Sequence, residues 1–136
     1  MGFAYNNDKT KYNLPRRLYQ DLATVATVNR NLSTTFEQIA VDGNTVQFSI
    51  SLSAGALTRY AGQTFLYFKL KSLFRPMAAR TMIPIVQKPS GSGVSIYGFL
   101  ELRDDGDCLI TLKSSGVNEE AYITGTYLRT FTEDYL

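Results

Sequence analysis

The residues that could do chemistry are the carboxylates, the arginines and the tyrosines, because the chain contains no histidine. Ser-His-Asp and Cys-His nucleophilic catalysis are therefore absent, and so is the commonest zinc ligand. A hydrolase of polysaccharide needs only two carboxylates flanking the scissile bond. The candidates are Glu101, Asp104, Asp105, Asp107, Glu119 and Glu120. The Asp104–Asp107 group reads Asp-Asp-Gly-Asp, however, and aspartate is favoured in turns because its side chain bonds its own backbone. Turn chemistry is the leading reading, with a calcium loop and a catalytic pair behind it. The alternating acids and distal Glu of a helix-loop-helix calcium site are missing. No cofactor site is expected.

Tyrosine offers a flat face and a hydroxyl, and arginine beside it adds a fixed fork of donors. Arg59-Tyr60, in a stretch rich in Ala and Gly, is the first candidate for contact with a saccharide; Tyr97 and Arg103 are the second. Lys9, Lys11, Arg16 and Arg17 form the main basic cluster, interleaved with Tyr5, Tyr12 and Tyr19. Such a mixture can serve single-stranded nucleic acid. A net charge of +2 gives that reading little support, so a solvated arm is expected and no nucleic-acid partner.

The elements that position these residues are mostly strands. Val46, Phe48, Ile50 and Leu52 alternate with Gln47, Ser49 and Ser51, the period of a half-buried strand. Asp42-Gly43 before it is a hairpin signal, and Thr34–Val41 is the expected partner. Ser53–Gln63 reads as a loop, Thr64–Leu70 as an aromatic strand, and Arg80–Gln87 as another. Pro84 within the latter predicts an edge or a bulge. Residues 88–93 are a Pro/Gly/Ser connection. Val94–Leu102 and Cys108–Leu112 form a second hairpin about Asp105-Gly106, and Ala121–Arg129 closes the chain, with Gly125 marking a bulge or close approach. Between the aromatic strand and the next, Phe74-Arg75-Pro76 must be a corner, because proline fixes φ and pushes its predecessor out of the helical region. Its role is structural, with Arg75 bonding carbonyls or a carboxylate.

Before these strands, Leu18, Leu22, Val25, Asn29, Leu32, Phe36 and Ile39 follow a 4-3 spacing, the seam of a coiled coil. Thr24, Val25, Thr27 and Val28 are poor helix formers, so a short helix over Arg16–Asn29 is preferred to a long stem. Residues 1–33 are expected to form an arm with this helix, and 34–136 a head. Cys108, the single cysteine, lies in an apolar run and is read as a buried small hydrophobe. No apolar run approaches a membrane span, and no membrane partner is expected. The first residues lack the pattern of a signal peptide, which argues against ordinary secretion.

Seven regularly spaced strands with turns between them argue an antiparallel β-sandwich of jelly-roll type. Their order is distinctive. A strand follows Asp42-Gly43-Asn44, and an aromatic strand ends in Leu73-Phe74-Arg75-Pro76. A run with central Pro84, the Asp105-Gly106-Asp107 hairpin and the closing Tyr122-Ile123-Thr124-Gly125-Thr126-Tyr127-Leu128 come after it. Across residues 36–129 this resembles the C-terminal head domains of bacteriophage tail-fibre and baseplate proteins, especially those of phages of Gram-positive hosts. The chain has Ser72 where that group usually has proline, and it has no Trp near the last strand. The resemblance implies a non-enzymatic homotrimeric head on the virion, acting outside the host cell. It implies either binding of cell-wall saccharide or docking onto other tail proteins. A wall-polysaccharide depolymerase and a bacterial extracellular trimeric adhesin are the alternatives.

Overall fold

The computed structural model describes residues 16–87, 93–114 and 119–130. The strands run β1 (Arg16–Tyr19), β2 (Ala26–Val28), β3 (Thr34–Asp42), β4 (Thr45–Leu52), β5 (Thr64–Leu70), β6 (Arg80–Gln87), β7 (Ser95–Arg103), β8 (Asp107–Leu112) and β9 (Ala121–Leu128). Two short helices, α1 (Leu22–Val25) and α2 (Ala54–Arg59), join them, with a 3-10 turn at Ser72–Phe74. Among the described residues all nine strands belong to one antiparallel sheet, in the order β1-β3-β4-β9-β6-β7-β8-β5-β2.

Its two edge strands, β1 and β2, are separated in sequence only by residues 20–25. So short a link cannot reach across a flat sheet of nine strands spaced about 4.8 Å apart, and the sheet must curl. The aromatic core shows it doing so. Phe48 of β4 packs edge-on against Phe68 of β5 at 5.7 Å, although these strands are third and eighth in the order. Phe48 also meets Tyr127 of β9 at 5.6 Å. Val46, Phe48, Ile50 and Leu52, the alternating residues of β4, are all buried in this core.

Most hairpins fall where the sequence puts them. β3 and β4 pair with Asp42 opposite Thr45, leaving Gly43-Asn44 as a two-residue turn with Gly43 at φ 64°, the left-handed region such turns require. The β7–β8 turn has Gly106 at φ 96°. Pairing between β6 and β9 is confined to Ile85↔Ile123 and Val86↔Tyr122, and Pro84, with no N–H to donate, stands at its end. The expected irregularity lies beside it, where the β6–β7 register shifts between Ile85 and Val86. Cys108 is fully buried, its thiol donating to the Gly106 carbonyl at 3.3 Å.

The expected helix over Arg16–Asn29 is corrected to strand, one helical turn, and strand. Asp21 caps that turn by accepting from the Ala23 N–H, and Ala26 ends it in extended geometry at φ −146°. β1 then pairs with β3, and β2 with β5. Ladder bonds and core packing thus win over a helical spacing carried by β-branched residues. No coiled-coil stem runs through 16–33, because Leu22, Val25, Leu32 and Ile39 enter the common core while Leu18 and Phe36 stay exposed. Residues 1–15 of the expected arm lie outside the described residues. A second correction concerns 53–63, expected to be a loop. It contains α2, started by Ser53, whose hydroxyl accepts from the Ala56 N–H at 3.2 Å.

Two glycines show how tightly neighbouring strands meet. A methyl group on Gly125 would lie 2.7–2.9 Å from side-chain carbons of Ile83, and one on Gly98 would strike the Thr111 carbonyl. Gly125→Ala should cost about 1–3 kcal/mol, and combined with Ile83→Ala should be less destabilising than the sum of the single changes. Gly98→Ala should be rescued by no side-chain truncation, because its obstacle is backbone. Denaturant titration of the single and double variants checks both.

Burial also pushes the pKa of Cys108, Tyr67 and Tyr127 upward, with nearby charges as smaller contributors. In the unfolded chain these groups ionise near about 8.5 for Cys and 10 for Tyr, while the folded chain keeps them protonated. Their stability contribution is whole below those values and lost as pH rises beyond them. Unfolding free energy should therefore decline above about pH 8.5, steepening past 10, by about 1.4 kcal/mol per pH unit per group. Cys108→Ala should flatten the first part of that slope.

Candidate interaction face

The corner behaves as a lock. Arg129 is 5% exposed, and its Nε donates to the Gly43 carbonyl at 2.8 Å while Nη1 donates to that of Leu73 at 3.2 Å. Its backbone N–H reaches the Asn44 carbonyl, and its guanidinium lies 5.8 Å from the Phe74 ring centre. Tyr127 donates its hydroxyl to the Phe74 carbonyl at 2.6 Å. Arg75 turns back toward the Leu70 carbonyl and packs over Gly106, and Pro76 bridges to Arg129. Phe74, Arg75 and Pro76 are thus held by the end of β9, which was not singled out for this role in the sequence.

The structure splits the candidate saccharide contacts. Arg59, the last residue of α2, is exposed, and its guanidinium stands 5.4 Å from the Tyr60 ring centre. Arg30, from the β2–β3 link, joins them at 5.3 Å from Tyr60 and 4.6 Å from Phe65. Neither arginine has a carboxylate partner among the described residues. Arg30 lies 29 positions before Arg59, and no local pattern pointed to it. Tyr97 is buried, at 5% exposure, and offers no face to a ligand. The cause is the β7 irregularity: Ile85 pairs with Gly98 and Val86 with Ile96, so Tyr97 is the extra residue and rotates inward. Arg103 is tied to Glu101 at 2.7 Å, a bond that raises its pKa, and Arg80 takes the same carboxylate at 3.1 Å.

Four of the six candidate acids, Glu101, Asp105, Asp107 and Glu120, are similarly engaged. Asp105 accepts from the Asp107 N–H at 2.9 Å, a side-chain turn, and Asp107 pairs with Lys69 at 3.2 Å. Glu120 accepts from the Thr35 hydroxyl. Among the described residues no three acids, cysteines or histidines gather as a metal would need. Asp105 sits in the turn after β7, whereas Glu120 precedes β9 at the end where Gln87 meets Ser95. The nine residues of β7, about 30 Å at 3.3 Å each, separate them. That exceeds the about 5–9.5 Å of a glycosidase pair, so Asp105 and Glu120 cannot work together. In the basic cluster, Lys9, Lys11, Tyr5 and Tyr12 lie outside the described residues. Arg16 pairs with Asp42, Arg17 is exposed, and Tyr19 is spent on Phe74 at 5.9 Å.

What remains open to partners is the outer face of β9, β6 and β7. Ile83, Ile85, Leu100, Leu102 and Ile123 point into the core, so their neighbours point out. The register sets Tyr122 beside Val86 and Val86 beside Ile96, then Pro84 beside Phe99 and Met82 beside Glu101. Tyr122, Ile96, Phe99 and Met82 are 41, 45, 39 and 51% exposed. Where β6 leaves β9, a groove of about 470 Å³ between Met77, Thr81 and Leu128 extends the apolar surface. A row of outward apolar side chains of this kind, bordered by the Arg80–Glu101–Arg103 ion pairs, is a candidate interaction surface.

No protein-family model matches the chain, and no curated protein matches it.

Arg129→Met should destabilise by about 2–4 kcal/mol, since two buried carbonyls lose their donors. Arg129→Lys should recover less than half of that, because an ammonium cannot reach both carbonyls as a fork. Tyr127→Phe should cost about 1–2 kcal/mol. Thermal and urea unfolding measure all three.

Proposed function

We propose that the chain is a non-enzymatic head of a phage tail appendage, a jelly-roll-like sandwich assembled as a homotrimer. It serves host attachment on the virion, by binding cell-wall saccharide or by docking other tail proteins. The observation that carries this reading is the apolar face of β9, β6 and β7. Four large apolar side chains in adjoining rows are costly to leave in water, at about 25 cal/mol per Å², and sister copies would cover them. The resemblance of the Leu73–Pro76 corner and the Asp-Gly hairpins to tail-fibre heads supplies the setting. Repetition in a trimer would let weak single-site contacts add to firm attachment. The Arg30–Arg59–Tyr60 group is the polar-aromatic surface that suits such contact. The separation of Asp105 from Glu120 weighs against the depolymerase alternative.

Light scattering on the purified chain should give a mass near three copies. Phe99→Glu or Ile96→Glu should reduce it to one copy with an unchanged far-ultraviolet spectrum, whereas a wild-type monomer would sink the trimer. Adsorption to intact walls by the protein alone favours saccharide recognition, and recovery only with other tail proteins favours docking.

A further inference from the structure

A second polar site lies where the sheet's two edges approach. A cavity of about 400 Å³ opens between α1, the β2–β3 link and β5, lined by Asp21, Leu22, Val28, Asn31, Glu37 and Tyr67 among others. Tyr67 is 1% exposed, and among the described residues its hydroxyl has no hydrogen-bond partner. Glu119 Oε2 is the single side-chain polar atom among the described residues that is both sealed from solvent and unpaired. The Tyr67 hydroxyl is not such a sealed atom, and Tyr67 is one of the residues that line the cavity. Buried phenols nearly always find a partner, protein or water, so a phenol at the wall of a polar cavity is available to bond a molecule that enters it.

The remaining walls define what that ligand is. Glu37 accepts from the Leu22 N–H at 2.9 Å through Oε1 and from the Thr34 hydroxyl at 3.0 Å through Oε2. Asp21 accepts from the Ala23 N–H through Oδ1, which leaves its other oxygen free. Each carboxylate keeps acceptor capacity, and Asn31 adds an amide with both donor and acceptor. Two carboxylates repel an anion. A protonated phenol and two already hydrogen-bonded carboxylates make a poor cage for a hard cation, which prefers a full set of oxygen ligands. A ring bearing several hydroxyls fits: its O–H groups donate to Asp21 and Glu37, it accepts from Tyr67, and Leu22 and Val28 face its C–H surface.

We propose that this cavity binds a neutral or amine-bearing saccharide ring, with the Tyr67 hydroxyl donating to it and the Asp21 and Glu37 carboxylates receiving its protons. The proposal deepens the attachment reading and rests on it only for the choice of wall sugars as probes.

The test titrates glucose, N-acetylglucosamine, glucosamine and glucuronate into the full chain while following the amide resonances of Leu22, Ala23 and Asn31. Saturable shifts are expected with at least one of the first three, most strongly with glucosamine, and none with glucuronate. Tyr67→Phe should weaken that binding at least about five-fold, one lost hydrogen bond, without lowering the melting temperature, because the hydroxyl has no internal partner. Asn31→Ala, in an exposed link, should weaken it too. Absence of saturable shifts with every probe, equal affinity in Tyr67→Phe, or a destabilised Tyr67→Phe would each overturn the proposal. Sugar binding by a chain that ignores whole walls keeps the pocket and ends the attachment reading. Wall adsorption unchanged by Tyr67→Phe does the reverse.

Discussion

A buried arginine with carbonyls for partners holds this molecule's corner in place. Arg129 spends its cation on Gly43 and Leu73, so the β3–β4 turn, the 3-10 turn and the end of β9 converge on one guanidinium. Burying an unpaired charge is costly, and the cost is tolerable only when hydrogen bonds satisfy the buried donors. Here they join segments 56 and 86 positions away in sequence. Tyr127 performs the same service for Phe74 one strand-face over. With the corner fixed, the aromatic strand β5 and the Pro-containing strand β6 leave it along separate paths, and each finds its own partners in the sheet.

The consequences run outward. β6 reaches β9 for only two residue pairs, which stop beside Pro84, a residue with no N–H to donate, while the Ile83 side chain packs close over Gly125. The groove at Met77 and Leu128 lies beyond the end of that pairing. At the opposite seam, one helical turn joins the sheet's two edges, and the same short link frames the cavity that holds the Tyr67 hydroxyl. Both surfaces proposed for contact with partners thus lie where strand pairing stops.

The sequence was most readable where one physical signal acted alone. Alternation from Val46 to Leu52 gave β4, and Asp-Gly pairs gave both tight turns, because side-chain period and left-handed turn geometry are local constraints. It was misleading where two signals competed. Leu22, Val25 and Leu32 carry a helical spacing, yet all three are buried by a sheet, since pairing with β3 and β5 is decided far along the chain. Tyr97 was offered as a saccharide contact on its residue type, and one extra residue in β7 turned it inward. Arg129 and Arg30 left no trace in their neighbourhoods. Each acts on groups distant in sequence, and a single chain without its partners on the page cannot announce that.

The claim on which the functional reading turns is that the outer face of β9, β6 and β7 is covered by other copies of this chain. Isotope-filtered NMR on a mixture of labelled and unlabelled protein addresses it directly. Cross-peaks from the Met82 methyl and the Phe99 ring of labelled chains to protons of unlabelled ones are the expected result. Cross-peaks from those groups to water alone, in a sample at concentrations where the mixture had time to exchange, would contradict the account.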